Sequence, residues 1–116
     1  MNDFDIPIFK KSYELYKNFC VFRVSAPKQD RYTIWLRCEN TMLDVVEGLL
    51  QATQTRKSEK VPVLEKVSLK LNLLRVFVRL AKDTKAIDVK RYVAYEADLD
   101  EIGRMLGGWL KSSKVG

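Results

Sequence analysis

The sequence predicts an all-α protein, an up-down-up-down antiparallel four-helix bundle that forms one domain over residues 1–116. Three observations predict it. Only 5 glycines and 3 prolines occur, so long stretches carry no turn punctuation. Apolar residues recur three and four apart in four successive segments, the period of a helical face. The punctuated stretches between those segments are short, which sets neighbouring helices antiparallel. A chain of 116 residues and 13.5 kDa buries one core and leaves no room for a second domain.

The first helix is expected over residues 6–24. Pro7 suits its first turn, and Ile8, Leu15, Phe19 and Phe22 share one face. Ser25-Ala26-Pro27-Lys28 interrupts the pattern, because proline disfavours helical geometry in the residue before it. Asp30 is then placed to cap a second helix over 30–54, whose face is Ile34, Cys38, Met42, Val45, Leu49 and Ala52. The polar run Gln54 to Lys60 ends it. Ser58 or Glu59, with Pro62, opens a third helix over 59–85, and Asp88 caps a fourth over 88–112.

The third helix is apolar on two sides. Leu64, Val67, Leu71, Leu74, Val78 and Ala81 form a stripe able to fill a bundle core. A second strip, Leu69, Leu73, Val76, Phe77 and Leu80, lies about 150° away at about 100° per residue. A monomer has no use for such a strip unless the helix touches two neighbours over a broad face, so the pattern predicts a homo-oligomer with the strip at its interface.

The fourth helix carries Tyr92, Tyr95, Leu99, Ile102, Leu106 and Trp109 inward. Gly103, Gly107 and Gly108 interrupt it, at about 1 kcal/mol each relative to alanine. One reading is a frayed end with a glycine C-cap. Because Trp109 continues the apolar pattern, the other reading is a smooth patch for close packing, formed by Gly103, Gly107, Gly108 and Trp109.

Composition excludes much chemistry. There is no histidine, which removes Ser-His-Asp and Cys-His pairs and the zinc sites that need imidazole. Cys20 and Cys38 are neither a CxxC pair nor a disulfide framework, and read as small core hydrophobes. Asp98 with Glu101, and Asp44 with Glu47, share helical faces, where interspersed lysines and arginines make solvated salt bridges the better account. No glycine-rich loop joins a strand to a helix, so neither nucleotide hydrolysis nor any cofactor or metal is expected. The N-terminus opens with acidic Asp3 and Asp5 rather than a basic leader, and no apolar run approaches the roughly 20 residues that span a bilayer. The expected setting is the cytoplasm, without a membrane partner.

What remains is positive charge. Lys and Arg number 21 against 15 acids, for a net +6 and a pI near 9.4. The candidate binding residues are Lys28 and Arg31 at the start of the second helix, Lys66 and Lys70 on one side of the third, Arg75, Arg79 and Lys82 on another, and Arg104, Lys111 and Lys114 late in the fourth. With no recognisable base-reading motif, such residues favour RNA or DNA phosphates over base edges. Replacing Arg75 and Arg79 by glutamate is expected to weaken binding of nucleic acid or a polymerase without loss of helicity.

The run Glu101-Ile102-Gly103-Arg104-Met105-Leu106-Gly107-Gly108-Trp109-Leu110-Lys111 resembles the C-terminal signature of Avd, the accessory variability determinant of diversity-generating retroelements. Pro27-Lys28 with Arg31, Arg79-Leu80-Ala81-Lys82 and Tyr92 agree with it, and the similarity spans roughly residues 10–114. After Arg31 the family usually has a leucine-glycine pair, where this chain has Thr33-Ile34-Trp35-Leu36. The resemblance implies a basic four-helix bundle assembled as a barrel-shaped homopentamer. It also implies a protein without catalytic activity that binds nucleic acid and the element's reverse transcriptase, supporting mutagenic copying of a template RNA into cDNA. The competing reading is a structural or RNA-associated bundle of the kind encoded in ribosomal-RNA intervening sequences. Of that group's Asn-Ile-Ala-Glu-Gly motif, Asp44-Val45-Val46-Glu47-Gly48 keeps only the last two residues.

Overall fold

The computed structural model describes residues 6–114; Asp3 and Asp5 of the expected acidic start lie outside the described residues. Four long helices and one short one follow in chain order: α1 (Pro7–Arg23), α2 (Lys28–Arg31), α3 (Ile34–Thr53), α4 (Lys60–Asp83) and α5 (Val89–Lys114). A single 3-10 turn, Lys57–Glu59, leads into α4, and no strand occurs among the described residues. α3 packs between α1 and α4, and α5 returns between α4 and α1, so the long helices occupy the corners of a square. The resulting rod measures 48 × 24 × 21 Å.

The core is built from the expected stripes. Leu15, Phe19, Phe22, Cys38, Met42, Val45, Leu49, Leu99, Ile102 and Leu106 are buried, as are all six residues of the α4 core stripe. Trp35 is the unexpected member. It is fully buried, donates Nε1–H to the Phe19 carbonyl at 3.0 Å, and packs against Phe19, Phe22 and Tyr95 with ring centroids 4.8–5.9 Å apart. The departure from the resembled pattern therefore sits inside the bundle, where its one polar atom finds an acceptor. Tyr95 adds a second polar anchor by donating its hydroxyl to Asn18 Oδ1 at 3.0 Å, and burial pushes its pKa up to about 12.

Two helix boundaries differ from expectation. The second predicted helix is divided: α2 is one turn, and Thr33, at φ −119° and ψ −105°, separates it from α3. Asp30 does not cap α3, because its backbone already belongs to α2 and its amide bonds the Pro27 carbonyl. The Thr33 hydroxyl likewise turns back to the Gln29 carbonyl at 3.0 Å. At the other end, α5 runs through all three glycines to Lys114, so none of them is a C-cap.

Two other ends follow from local chemistry. Asp88 Oδ1 accepts the Arg91 amide at 2.7 Å, the N-cap expected for α5. α4 closes with a 6→1 bond from the Ala86 amide to the Ala81 carbonyl at 2.8 Å and a 5→2 bond from Lys85 to Lys82 at 3.0 Å. That Schellman geometry needs a left-handed residue, and Lys85 supplies it at φ 66° where glycine is usual.

Candidate nucleic-acid interface

The square arrangement sorts the ten basic candidates by what each already holds. Arg31 folds back on its own turn, donating from Nε to the Ala26 carbonyl at 3.0 Å and from Nη2 to the Val24 carbonyl at 2.8 Å. It satisfies carbonyls at the end of α1 that the helix leaves open. Arg75 clips α4 to α5 through Asp100 and through the Leu99 carbonyl at 3.0 Å. Lys70 pairs with Asp44 at 3.3 Å, and Lys82 pairs with Asp83 at 3.4 Å while lying 4.7 Å over the Tyr92 ring. Arg79 reaches Asp83 only at 3.8 Å and stays well exposed.

The other five, Lys28, Lys66, Arg104, Lys111 and Lys114, are exposed and form no ion pair among the described residues. The fold carries them to opposite ends of the rod. Lys66, Arg104, Lys111 and Lys114 belong to the end where α4 begins and α5 finishes, and there Lys57 and Lys60 join them. Lys28, Arg79 and Lys82 belong to the end where α4 finishes and α5 begins, with Lys85, Lys90 and Arg91. The added residues lie in or beside connections, outside any helical stripe, which is why periodicity passes over them. Arg91 is further fixed by stacking 4.3 Å over the Phe22 ring.

The carboxylates behave as solvated partners. Lys11 on α1 bridges Asp98 at 3.3 Å and Glu101 at 2.9 Å on α5. The bond from Lys11 holds the Glu101 carboxyl below its ordinary range, and Glu101 in turn raises the Lys11 pKa. One carboxylate is different: Glu39 is buried between α1 and α3, accepts Cys20 Sγ–H at 3.5 Å, and has Arg23 Nε 3.4 Å from its other oxygen. Among the described residues no group of three or more acidic or cysteine side chains is arranged to hold a metal ion. No described helix is long and apolar enough to cross a membrane.

The glycines divide in the same way. A Cβ on Gly103 would stand 2.8 Å from Arg75 Nη2, so this glycine makes room for the α4–α5 clip. Gly107 and Gly108 meet nothing within 4 Å, and half-buried Trp109 beyond them lies under the Lys60 ammonium, 5.4 Å from the ring centroid. Gly103 and Gly107 line an open groove between α4 and α5 with Arg75, Asp100 and Arg104. Sequence reasoning missed Gly48, where a Cβ would fall 2.6 Å from Val67 Cγ2; its bare backbone leaves room for that α4 side chain against α3.

The second strip of α4 is uncovered. Leu69 and Val76 are 59% and 62% exposed, Leu73 and Leu80 are also exposed, and only Phe77 packs partly on the core, beneath the Arg37 guanidinium.

Compared with known proteins, residues 7–113 match the model of a family described as bAvd-like. No curated protein and no solved structure matches the chain.

Proposed function

The chain belongs to the bAvd-like family, and on that premise we propose that it is the non-catalytic, nucleic-acid-binding accessory subunit of a reverse transcriptase in a diversity-generating retroelement. The family match over nearly the whole chain carries the reading. It is supported by a net charge of +6, by five exposed basic side chains outside any ion pair among the described residues, and by an apolar strip that a homo-oligomer would bury. A homopentamer of 13.5 kDa chains would have a mass of about 67.5 kDa and carry about +30, enough to hold polyanions by counterion release without base-specific contacts. Binding through phosphates uses the free lysines and arginines at the ends of the rod. Arg31, already holding backbone carbonyls, acts mainly by shaping one of those ends, and Arg75 by clipping α4 to α5 between them.

The test is RNA binding by fluorescence anisotropy over a salt series, with co-purification of the element's reverse transcriptase in parallel. Reversing Lys66, Arg104 and Lys111 to glutamate should weaken RNA binding and flatten the log K against log salt slope by about 0.7–0.9 for each phosphate that is no longer neutralised. Helicity should not change, because none of the three is an ion-pair partner among the described residues. RNA binding unaffected by salt and by these substitutions, with no reverse transcriptase retained, would overturn the proposal.

A further inference from the structure

We infer that Tyr32 is a stacking platform for unpaired bases, so that the end of the rod where α4 finishes and α5 begins takes single-stranded nucleic acid in preference to duplex. This rests on the reading of the chain as nucleic-acid-binding and deepens it by naming the form of strand that this end accepts.

Tyr32 differs from every other described aromatic side chain. Phe19, Phe22, Trp35 and Tyr95 cluster in the core, and each remaining ring meets another ring, a cation or a hydrogen-bond partner. Tyr32 has none of these among the described residues, and it is 74% exposed. The ring contributes nothing to the packing of the bundle.

The corner that carries the ring is nevertheless fixed. On one side Arg31 donates to the Ala26 and Val24 carbonyls at 3.0 and 2.8 Å, and on the other the Thr33 hydroxyl donates to the Gln29 carbonyl at 3.0 Å. The Tyr32 amide itself bonds the Asp30 carbonyl. With the backbone pinned on both sides, only the two side-chain torsions of the tyrosine remain to be ordered when a base lands on it.

Cations with free heads stand around this corner. Lys28, four residues before Tyr32, is exposed and forms no ion pair among the described residues. α3 runs antiparallel to α4, with Arg37 over Phe77 and Asp44 paired with Lys70, so the start of α3 lies beside the end of α4. There Pro27, next to Lys28 in the chain, lines an open cleft with Lys82, Lys85 and Arg91. The nearby aspartates are engaged or turned inward: Asp83 takes Arg79 and Lys82, Asp88 caps α5, and one oxygen of Asp30 is buried. Phosphates can follow the cleft to Lys28 while a base reaches Tyr32 one turn further on.

Cations alone do not tell a single strand from a duplex, because both present phosphates. A free ring does. Bases in a duplex cover one another's faces, whereas an unpaired base offers its own, and since every base has such a face the stacking selects strand form rather than sequence. A protein anchor would sit within an apolar patch, whereas this ring is the one apolar side chain in the polar run Lys28–Thr33.

The test is fluorescence anisotropy of the full chain with two probes, an unstructured RNA strand of about 20 nucleotides and an RNA duplex of the same length. Wild type should bind the strand more tightly than the duplex at equal salt. Tyr32→Ala should weaken strand binding by on the order of tenfold, the effect of losing one stacked base, with duplex binding and the salt slope unchanged. Tyr32→Phe should keep wild-type affinity, since the ring acts and not the hydroxyl. Lys28→Gln with Lys85→Gln should weaken both probes and flatten the salt slope. Helicity should stay at the wild-type level in Tyr32→Ala, because the side chain holds no other part of the fold. Tyr32→Trp gives a direct reading: its added indole fluorescence should be quenched by the strand and not by the duplex. Equal wild-type affinity for the two probes, or a Tyr32→Ala chain that binds the strand like wild type, would overturn the inference and leave the RNA-binding reading standing. Binding of neither probe would overturn both. A Tyr32→Ala chain that keeps its RNA affinity and loses the reverse transcriptase would also overturn the inference, making the ring a protein anchor.

Discussion

Replacing Gly107 and Gly108 by alanine should stabilise the isolated chain. Both glycines lie inside α5, and nothing stands within 4 Å of where a Cβ would be placed on either. The helix therefore pays the backbone entropy of glycine without gaining any internal packing in return. Alanine recovers about 1 kcal/mol at each position, so the double variant should gain about 2 kcal/mol, less a few tenths because these residues fall in the last two turns. At roughly 5 °C per kcal/mol for a domain of this size, the melting midpoint should rise by roughly 8–10 °C, read by circular dichroism at 222 nm. Gly48→Ala supplies the contrast. Its new methyl would meet Val67 Cγ2 at 2.6 Å, and a valine in a helix strongly prefers a single rotamer, so moving away is costly. An overpacking cost of about 1–3 kcal/mol should cancel or exceed the helical gain. If the Gly107/Gly108 variant is no more stable than wild type, or Gly48→Ala rises as far, the account of these glycines is wrong. The same double variant should bind reverse transcriptase or RNA less well if a partner backbone approaches the smooth end of α5.

Other perturbations read other parts of the structure. Trp35→Ala should cost about 3–5 kcal/mol in urea unfolding, because it empties the aromatic cluster and removes the bond to the Phe19 carbonyl. Lys85→Gly should stabilise by about 1 kcal/mol by relieving a left-handed lysine at the end of α4, measured the same way. Burial pushes the Cys38 thiol up to about 12 and raises Cys20 as well, so a thiol reagent at pH 8 should leave Cys38 unmodified in the native chain, label Cys20 slowly, and label both in denaturant. Glu101 is held below its ordinary value of 4.5 by Lys11, so the bridge contributes above that value and is lost as pH falls through the lower folded pKa. An NMR titration should place its midpoint below 4.5 and move it upward in Lys11→Met.

The four long helices were legible because their inner faces repeat every three to four residues and their breaks carry a proline, a polar run or a capping aspartate. Trp35 was legible as core and was passed over for its neighbour: Trp35, Cys38, Met42, Val45, Leu49 and Ala52 step by three and four along one face of α3 and are all fully buried, while Ile34 is only half-buried at the edge of that face. The break between α2 and α3 was hidden, since Arg31 and Thr33 stabilise it through backbone carbonyls, an interaction with no periodic signature. Of the candidate interface, the charges were visible and their availability was not. Arg75 reads as a free cation in sequence, and its engagement depends on Asp100 and on the space left by Gly103, both on another helix. The exposed strip on α4 was fully visible, because two apolar stripes on one helix leave a period-3.6 record.

The most direct measurement of the central claim is size-exclusion chromatography with multi-angle light scattering, alone and with structured RNA at moderate and high salt. The account predicts a particle near 67.5 kDa, five times the 13.5 kDa chain, that binds RNA at moderate salt and releases it at high salt. A 13.5 kDa monomer indifferent to RNA would contradict it.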